Sequence, residues 1–196
     1  MADAFLRRLQ HTDVQAVLDA FRSSTDMRRQ GDVYDLDSAR IYVNSLLAND
    51  SPHLPWVIAR SEGSLAGLVV VTVDQANNSG WFWYWMHASD RGRGWTSCGA
   101  RTVANWALHE LGVDRLELGH RANNPESGAV ARAAGFVREG CEREKFLVDG
   151  QRVDVLNYGR LASDPAPIGP SLKMLDEAEV LSTPLRPPTP MHVVHE

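Results

Sequence analysis

Arg91-Gly92-Arg93-Gly94-Trp95-Thr96 stands between an aromatic run (residues 81–87) and a segment where Ala100, Val103, Ala104, Ala107, Leu108 and Leu111 recur at helical spacing. The spacing is i, i+3, i+4, i+7, i+8 and i+11, one face of an amphipathic helix, and Gly112 follows where a left-handed cap ends it. The quoted hexapeptide is therefore a strand-to-helix turn. Its glycines let successive backbone N–H groups converge, and a helix N-terminus adds about half a positive charge there. A phosphate can be held at such a point without a metal. No Gly-Lys-Ser/Thr follows, so it is not a Walker loop. Ser97 stands where a dinucleotide fingerprint carries its third glycine.

On the N-terminal side of this turn, residues 5–9 read as a strand, and Thr12 or Asp13 caps a helix carrying Val14, Val17, Leu18 and Phe21 on one face. After a charged loop, a second helix over residues 38–47 is expected to bury Ile41, Ser45, Leu46 and Leu47. Strands over 56–60, 65–74 and 81–87 are separated by short turns, which predicts an antiparallel meander. Trp81, Trp83 and Trp85 form a period-two stripe expected to lie mostly in the core. On the C-terminal side come a strand over 115–119, a short helix capped by Asn124 and ended by Gly135, and strands over 143–148 and 153–161 around Asp149-Gly150. The fold class is α+β, a three-layer arrangement with a mixed, mostly antiparallel central sheet and helices on both faces.

The chain has 196 residues, of which 43% are hydrophobic and 23% charged. Seven of its ten prolines lie beyond Leu161, so residues 1–161 are read as the folded domain and 162–196 as a proline-rich tail. Within that tail, residues 171–181 are expected to form a short helix and 191–194 an edge strand. The net charge of −5 argues against nucleic acid or an anionic membrane as partner. No apolar run is long enough to span a membrane, and two cysteines, Cys98 and Cys141, are too few for a disulfide scaffold or a cysteine zinc site. A reducing, cytoplasmic setting with no metal is the expectation.

Tyr84-Trp85-Met86, the Arg91 to Trp95 turn, Asn124-x-x-Ser127, Gly135-Phe136, Arg138-Glu139-Gly140 and Asp149-Gly150-x-x-x-Asp154-x-x-x-Tyr158 occur in this order. Together they resemble the GNAT superfamily of acyl-CoA-dependent N-acetyltransferases, and within it the branch of the RimJ and RimL ribosomal-protein N-terminal acetyltransferases. The resemblance covers residues 80–161, with a looser fit back to Phe5.

It implies a GNAT fold, acetyl-CoA as donor, and direct attack of an amine on the thioester, the acceptor being a protein N-terminus or a small molecule. Arg91, Gly92, Arg93, Gly94, Trp95 and Thr96 are expected to hold the coenzyme A pyrophosphate through backbone amides. Trp85, Met86 and His87 end the splayed strand whose backbone meets the pantetheine arm, and an N–H near Met86 is the candidate oxyanion donor. Asn124 is expected to reach the pantetheine from the far side, and Ser127 to stabilise or protonate the leaving thiolate.

The chain departs from the pattern at Thr96, where a smaller residue is usual, and at Ala131, which takes the place of a tyrosine acid. Glu117 and Glu144 are the candidate bases, with His87 and His120 as lesser ones. Neither Cys98 nor Cys141 has an evident partner base, so neither is expected to carry the acyl group. Arg28 and Arg29 are candidates for reading an acidic acceptor. A homodimer is what the resemblance implies for assembly. A coenzyme A-binding module without turnover is the alternative function, and partner recruitment by prolines 184–190 is a third.

Overall fold

The computed structural model describes residues 3–175. Seven strands form one sheet: β1 (Ala4–Arg8), β2 (His53–Arg60), β3 (Leu65–Asp74), β4 (Ser79–Met86), β5 (Arg115–Arg121), β6 (Val137–Val148) and β7 (Gln151–Leu161). Their order is β1-β2-β3-β4-β5-β7-β6. Every pairing is antiparallel except β4 with β5. Four α-helices cover the sheet: α1 (Val14–Arg22), α2 (Leu36–Leu47), α3 (Trp95–Trp106) and α4 (Pro125–Ala133). None is long and apolar enough to cross a membrane.

Alternation along the strands sends side chains into two cores. On one face, Val17 and Phe21 of α1 and Val43 and Leu46 of α2 pack on Leu68, Val70 and Trp85. On the other, Ala100, Val103 and Ala104 of α3 and Ala131 of α4 pack on Phe82, Met86 and Leu116. β3 is apolar on both faces because helices cover both.

Several local expectations are corrected. Helix α2 starts at Leu36, capped by Asp35, whose side chain accepts from the Ser38 N–H at 2.8 Å. Its inward face is Ala39, Val43 and Leu46, while Ile41 is 70% exposed and Ser45 also faces solvent. The Leu46-Leu47 pair suggested a stripe rotated by about one residue, or 100°. Asp13 does not cap α1, because its carboxylate already accepts from Arg7 (2.8 and 2.7 Å) and from the Gln10 N–H (2.9 Å). Beyond Trp106 the helix widens into a π turn, Ala107–Leu111, closed by Gly112 at φ 85°. Leu111 ends up 40% exposed.

Strand β6 begins at Val137 rather than 143, and β7 at 151 rather than 153. β6 is an edge strand, mostly solvated and charged, so no apolar alternation marks it. Trp81 is 46% exposed, against the expectation for the tryptophan stripe, whereas Trp85 is buried. In the described part of the tail, residues 173–175 are extended, not helical. Leu6 N–H donates to Lys173 O and Leu175 N–H to Leu6 O, both at 2.8 Å. Arg101 of α3 donates to Pro170 O and Thr102 Oγ1 accepts from the Leu172 N–H, which fixes the approach. The remainder of the expected helix and the strand at 191–194 lie outside the described residues.

Candidate active site

The parallel ladder between β4 and β5 ends after three residue pairs, the last being Trp81 with Glu117. Beyond it β4 stays with β3 and β5 stays with β7, so the two strands part into a notch. His87 N–H donates to Ala66 O on the β3 side. Alternation then turns the peptide groups of Phe82, Tyr84 and Met86 toward the notch. Their hydrogen-bonding capacity suits a ligand that adds like a strand, though Met86 O already accepts from Arg91 Nε at 3.3 Å.

A cavity of about 220 Å³ fills the notch. Phe82, Trp83 and Tyr84 form its β4 wall and residues 118–121 its β5 wall. Asn124 and Ser127 reach it from the start of α4, Arg29 and Gln30 from the α1–α2 connection, and Phe146 and Val155 from β6 and β7.

At one end of the notch the Arg91 to Thr96 turn leads into α3. Gly92 and Gly94 have φ of 76° and 77°, and a Cβ on either would meet nothing within 4 Å. The first helical bond is Cys98 N–H to Gly94 O, and the N–H groups of residues 92–97 have no backbone partner among the described residues. A cradle of unpartnered amides at a helix start, held open by glycines, fits a pyrophosphate. Asp90, its side chain 2% exposed, anchors the turn through Arg60 at 2.6 Å, with Arg93 at 3.8 Å. Burial pushes the Asp90 carboxyl up, but bonding to Arg60 outweighs this and holds it below its ordinary range. Arg91 ion-pairs with Asp26 at 3.0 Å, which ties the turn to the α1–α2 connection. His87 caps the turn, its Nδ1 accepting from Ser89 N–H and Oγ, and does not line the cavity.

At the other end, Asn124 Oδ1 accepts from Ser127 N–H at 3.1 Å, which caps α4 and leaves Asn124 Nδ2 free to donate toward the notch. Ser127 Oγ lies 2.9 Å from Tyr84 Oη, and Tyr84 also reaches Ser127 O at 2.8 Å. Burial pushes the Tyr84 hydroxyl up to about 12, against the opposing hydrogen bond from Ser127, so the phenol keeps its proton at neutral pH. The sequence identified Ser127 but not this contact. Tyr84 alternates with Trp83 and Trp85 and so faces the α3–α4 side, the one sequence signal for it. Ala131 is fully buried and supplies no proton donor.

Neither candidate carboxylate lines the cavity. Glu117 pairs with Arg115 at 2.6 Å, and Arg115 also binds Glu139. Glu144 sits in a bulge of β6 at φ 52°, where its N–H donates to Asp154 Oδ1 at 2.8 Å. His120 does line it. Its Nδ1 donates to Arg121 O at 2.9 Å, which leaves Nε2 as the lone-pair nitrogen. Nε2 is buried without a partner against α4, where a Cβ on Gly128 would stand 2.9 Å away. Arg29 lines the cavity and Arg28 does not. Cys98 and Cys141 are free thiols, Cys141 exposed, and neither borders the notch.

The Acetyltransferase (GNAT) domain family matches residues 4–137. The chain is 30% identical over 101 residues to the putative ribosomal N-acetyltransferase YdaF of Bacillus subtilis, a match spanning 51% of this chain and 55% of that protein. It is 26% identical over 126 residues to the ribosomal-protein-serine acetyltransferase of Escherichia coli, spanning 64% of this chain and 70% of that protein. In structure it resembles RimL, a ribosomal L7/L12 alpha-N-protein acetyltransferase in complex with coenzyme A (TM-score 0.73, 21% identity, 82% of this chain and 95% of that one). It also resembles a spermidine N-acetyltransferase SpeG chimera from Vibrio cholerae and hSSAT (TM-score 0.72, 20% identity, 83% and 97%). A parted parallel strand pair, a glycine turn of free amides and a family match over residues 4–137 converge on one conclusion: the chain belongs to the GNAT family of acetyltransferases, which use acetyl-CoA as donor.

Proposed function

We propose that this chain is an N-acetyltransferase that joins the acetyl group of acetyl-CoA to an amine bound in the notch, without a covalent acyl-enzyme. The observation that carries it is the Ser127–Tyr84 pair bordering a notch whose other end offers free amides. Acetyl-CoA supplies the thioester: the neutral amine nitrogen bonds to its carbonyl carbon, the carbon–sulfur bond breaks, and the proton that the nitrogen sheds balances the one that the leaving thiolate takes up.

The chain's residues serve that exchange in three ways. Backbone amides of residues 92–97 bind the pyrophosphate, and Asn124 Nδ2 donates to the pantetheine arm. A backbone N–H on the notch side of β4, near Met86, supports the oxyanion. Tyr84 donates its one proton to Ser127 O, so the Ser127 hydroxyl donates to Tyr84 Oη at rest and turns to the departing sulfur during transfer.

Proton removal asks little of the protein if the acceptor is an α-amine. Roughly a tenth of such groups are neutral at pH 7, against fewer than about one in a thousand for a lysine-type amine. This accords with a cavity lined by no carboxylate among the described residues.

Calorimetric titration with acetyl-CoA, coenzyme A and dephospho-coenzyme A tests the donor site. Micromolar binding, about −8 kcal/mol, is expected for all three, because each keeps the pyrophosphate. Release of free thiol in the presence of a panel of amines then separates an enzyme from a module that only binds coenzyme A. No binding by folded protein overturns the donor site, and binding without turnover of any amine favours the module.

A further inference from the structure

We propose that the acceptor is an α-amine carrying carboxylate groups close to it, and not a polyamine. This deepens the transferase reading above and rests on it. Arg29 and Arg121 both line the cavity, from the α1–α2 connection and from the end of β5. Neither makes an ion pair with a described residue; Arg121 only stacks over the Phe146 ring, 5.0 Å from its centroid. Among the described residues no aspartate or glutamate lines the same cavity. That is unexpected by composition, since acidic residues outnumber basic ones 25 to 20 in this chain.

Most other arginines at the site are spoken for: Arg60 by Asp90, Arg91 by Asp26, Arg115 by Glu117 and Glu139. Two guanidinium groups without a counter-charge, in a partly enclosed space, favour carboxylates through charge-assisted, bidentate bonds. The same pair repels an acceptor with several ammonium groups, which here would meet no carboxylate.

Arg29 also lies on the α1–α2 side of the sheet, whereas the amide cradle leads into α3 on the opposite side. The arginines thus face the notch from the α1–α2 side and not from the α3 side, although the connection that carries Arg29 is tied to the phosphate-binding turn through Asp26 and Arg91. Met27, 1% exposed, and the Asp26–Arg91 ion pair hold the connection that carries Arg29.

The test uses three peptides with the same N-terminal serine, followed by three aspartates, three glutamines or three lysines. With acetyl-CoA and the full chain, kcat/KM is expected to fall about tenfold at each step from acidic to neutral to basic. Arg29→Glu, a change at an exposed side chain with no partner to lose, is expected to flatten the series. Arg29→Glu combined with Arg121→Glu is expected to reverse it, with coenzyme A affinity unchanged. Free glutamate in the same assay distinguishes a single amino acid from a peptide N-terminus as the source of the carboxylate.

Calorimetric binding of the N-acetylated peptides to coenzyme A-loaded protein reads the preference without turnover. Equal values across the series, or tighter binding of the lysine peptide, overturn the proposal. Absence of thiol release with every acceptor, while the acidic product still binds best, counts against the transferase reading and leaves the charge preference standing.

Discussion

Ser127→Ala is expected to lower kcat about 100-fold, equivalent to about 2.7 kcal/mol of barrier, while leaving coenzyme A affinity near that of the wild type. The two readouts separate because the proposed coenzyme A contacts, the amides of residues 92–97 and the Asn124 side chain, do not depend on the Ser127 hydroxyl. Its N–H caps onto Asn124 whatever the side chain, so α4 and the Asn124 amide keep their positions. What disappears is the hydroxyl 2.9 Å from Tyr84, the proposed donor to the leaving sulfur. Tyr84→Phe removes the group behind that hydroxyl and is expected to give a smaller loss, since Ser127 can still donate. Steady-state kinetics with saturating acetyl-CoA, beside a coenzyme A titration, makes the comparison. An unchanged kcat in Ser127→Ala removes this residue from the chemistry.

Asp13→Ala is expected to cost about 3–5 kcal/mol of folding stability. Arg7 and Asp13 face each other through two hydrogen bonds, with side chains 7% and 8% exposed. Removing the carboxylate strands a guanidinium away from water and also frees the Gln10 N–H that Asp13 accepts. The Arg7 bonds to Gly63 O and Arg8 O remain, but carbonyls do not neutralise a buried charge. Urea unfolding followed by circular dichroism measures the loss, which corresponds to roughly 10 °C in Tm at about 3 °C per kcal/mol for a domain of this size. Replacing both partners by apolar residues, Arg7→Met with Asp13→Leu, is expected to recover most of it, because no charge is then left unpaired. A loss under about 1 kcal/mol for Asp13→Ala is the outcome of a solvated pair and contradicts this account.

The parts of the fold legible in the sequence were those whose two faces differ in polarity. α3 showed its stripe because one side meets the sheet, and the glycines at 92, 94 and 112 marked its limits through backbone conformations that other residues resist. β6 was half invisible because an edge strand with solvent around it needs no alternation, and its bulges break the period further. Ile41 misled for a related reason: a single exposed isoleucine carries the same letter as a buried one.

At the site, residues identified by backbone chemistry were readable, since turns and caps have local signatures. Residues brought together only by the tertiary fold were not. Tyr84 meets Ser127 across 43 positions, and Glu117 is drawn out of contention by Arg115, which sits on the same strand but also holds Glu139 from β6.

The pairing of Leu6 with residues 173–175 has a consequence for how the molecule reaches its native state. β1 is synthesised before the other described strands and helices, yet its outer edge pairs at Leu6 with a segment synthesised after all of them. Until that segment arrives, the amide and carbonyl of Leu6 face solvent, and a neighbouring nascent chain can occupy them. The contact spans almost the whole described chain, so its loop-closure cost falls late and its gain comes last. Synthesis that pauses before residue 173 therefore leaves the backbone of Leu6 unpaired on an otherwise complete sheet, a state more open to misassembly than the finished chain.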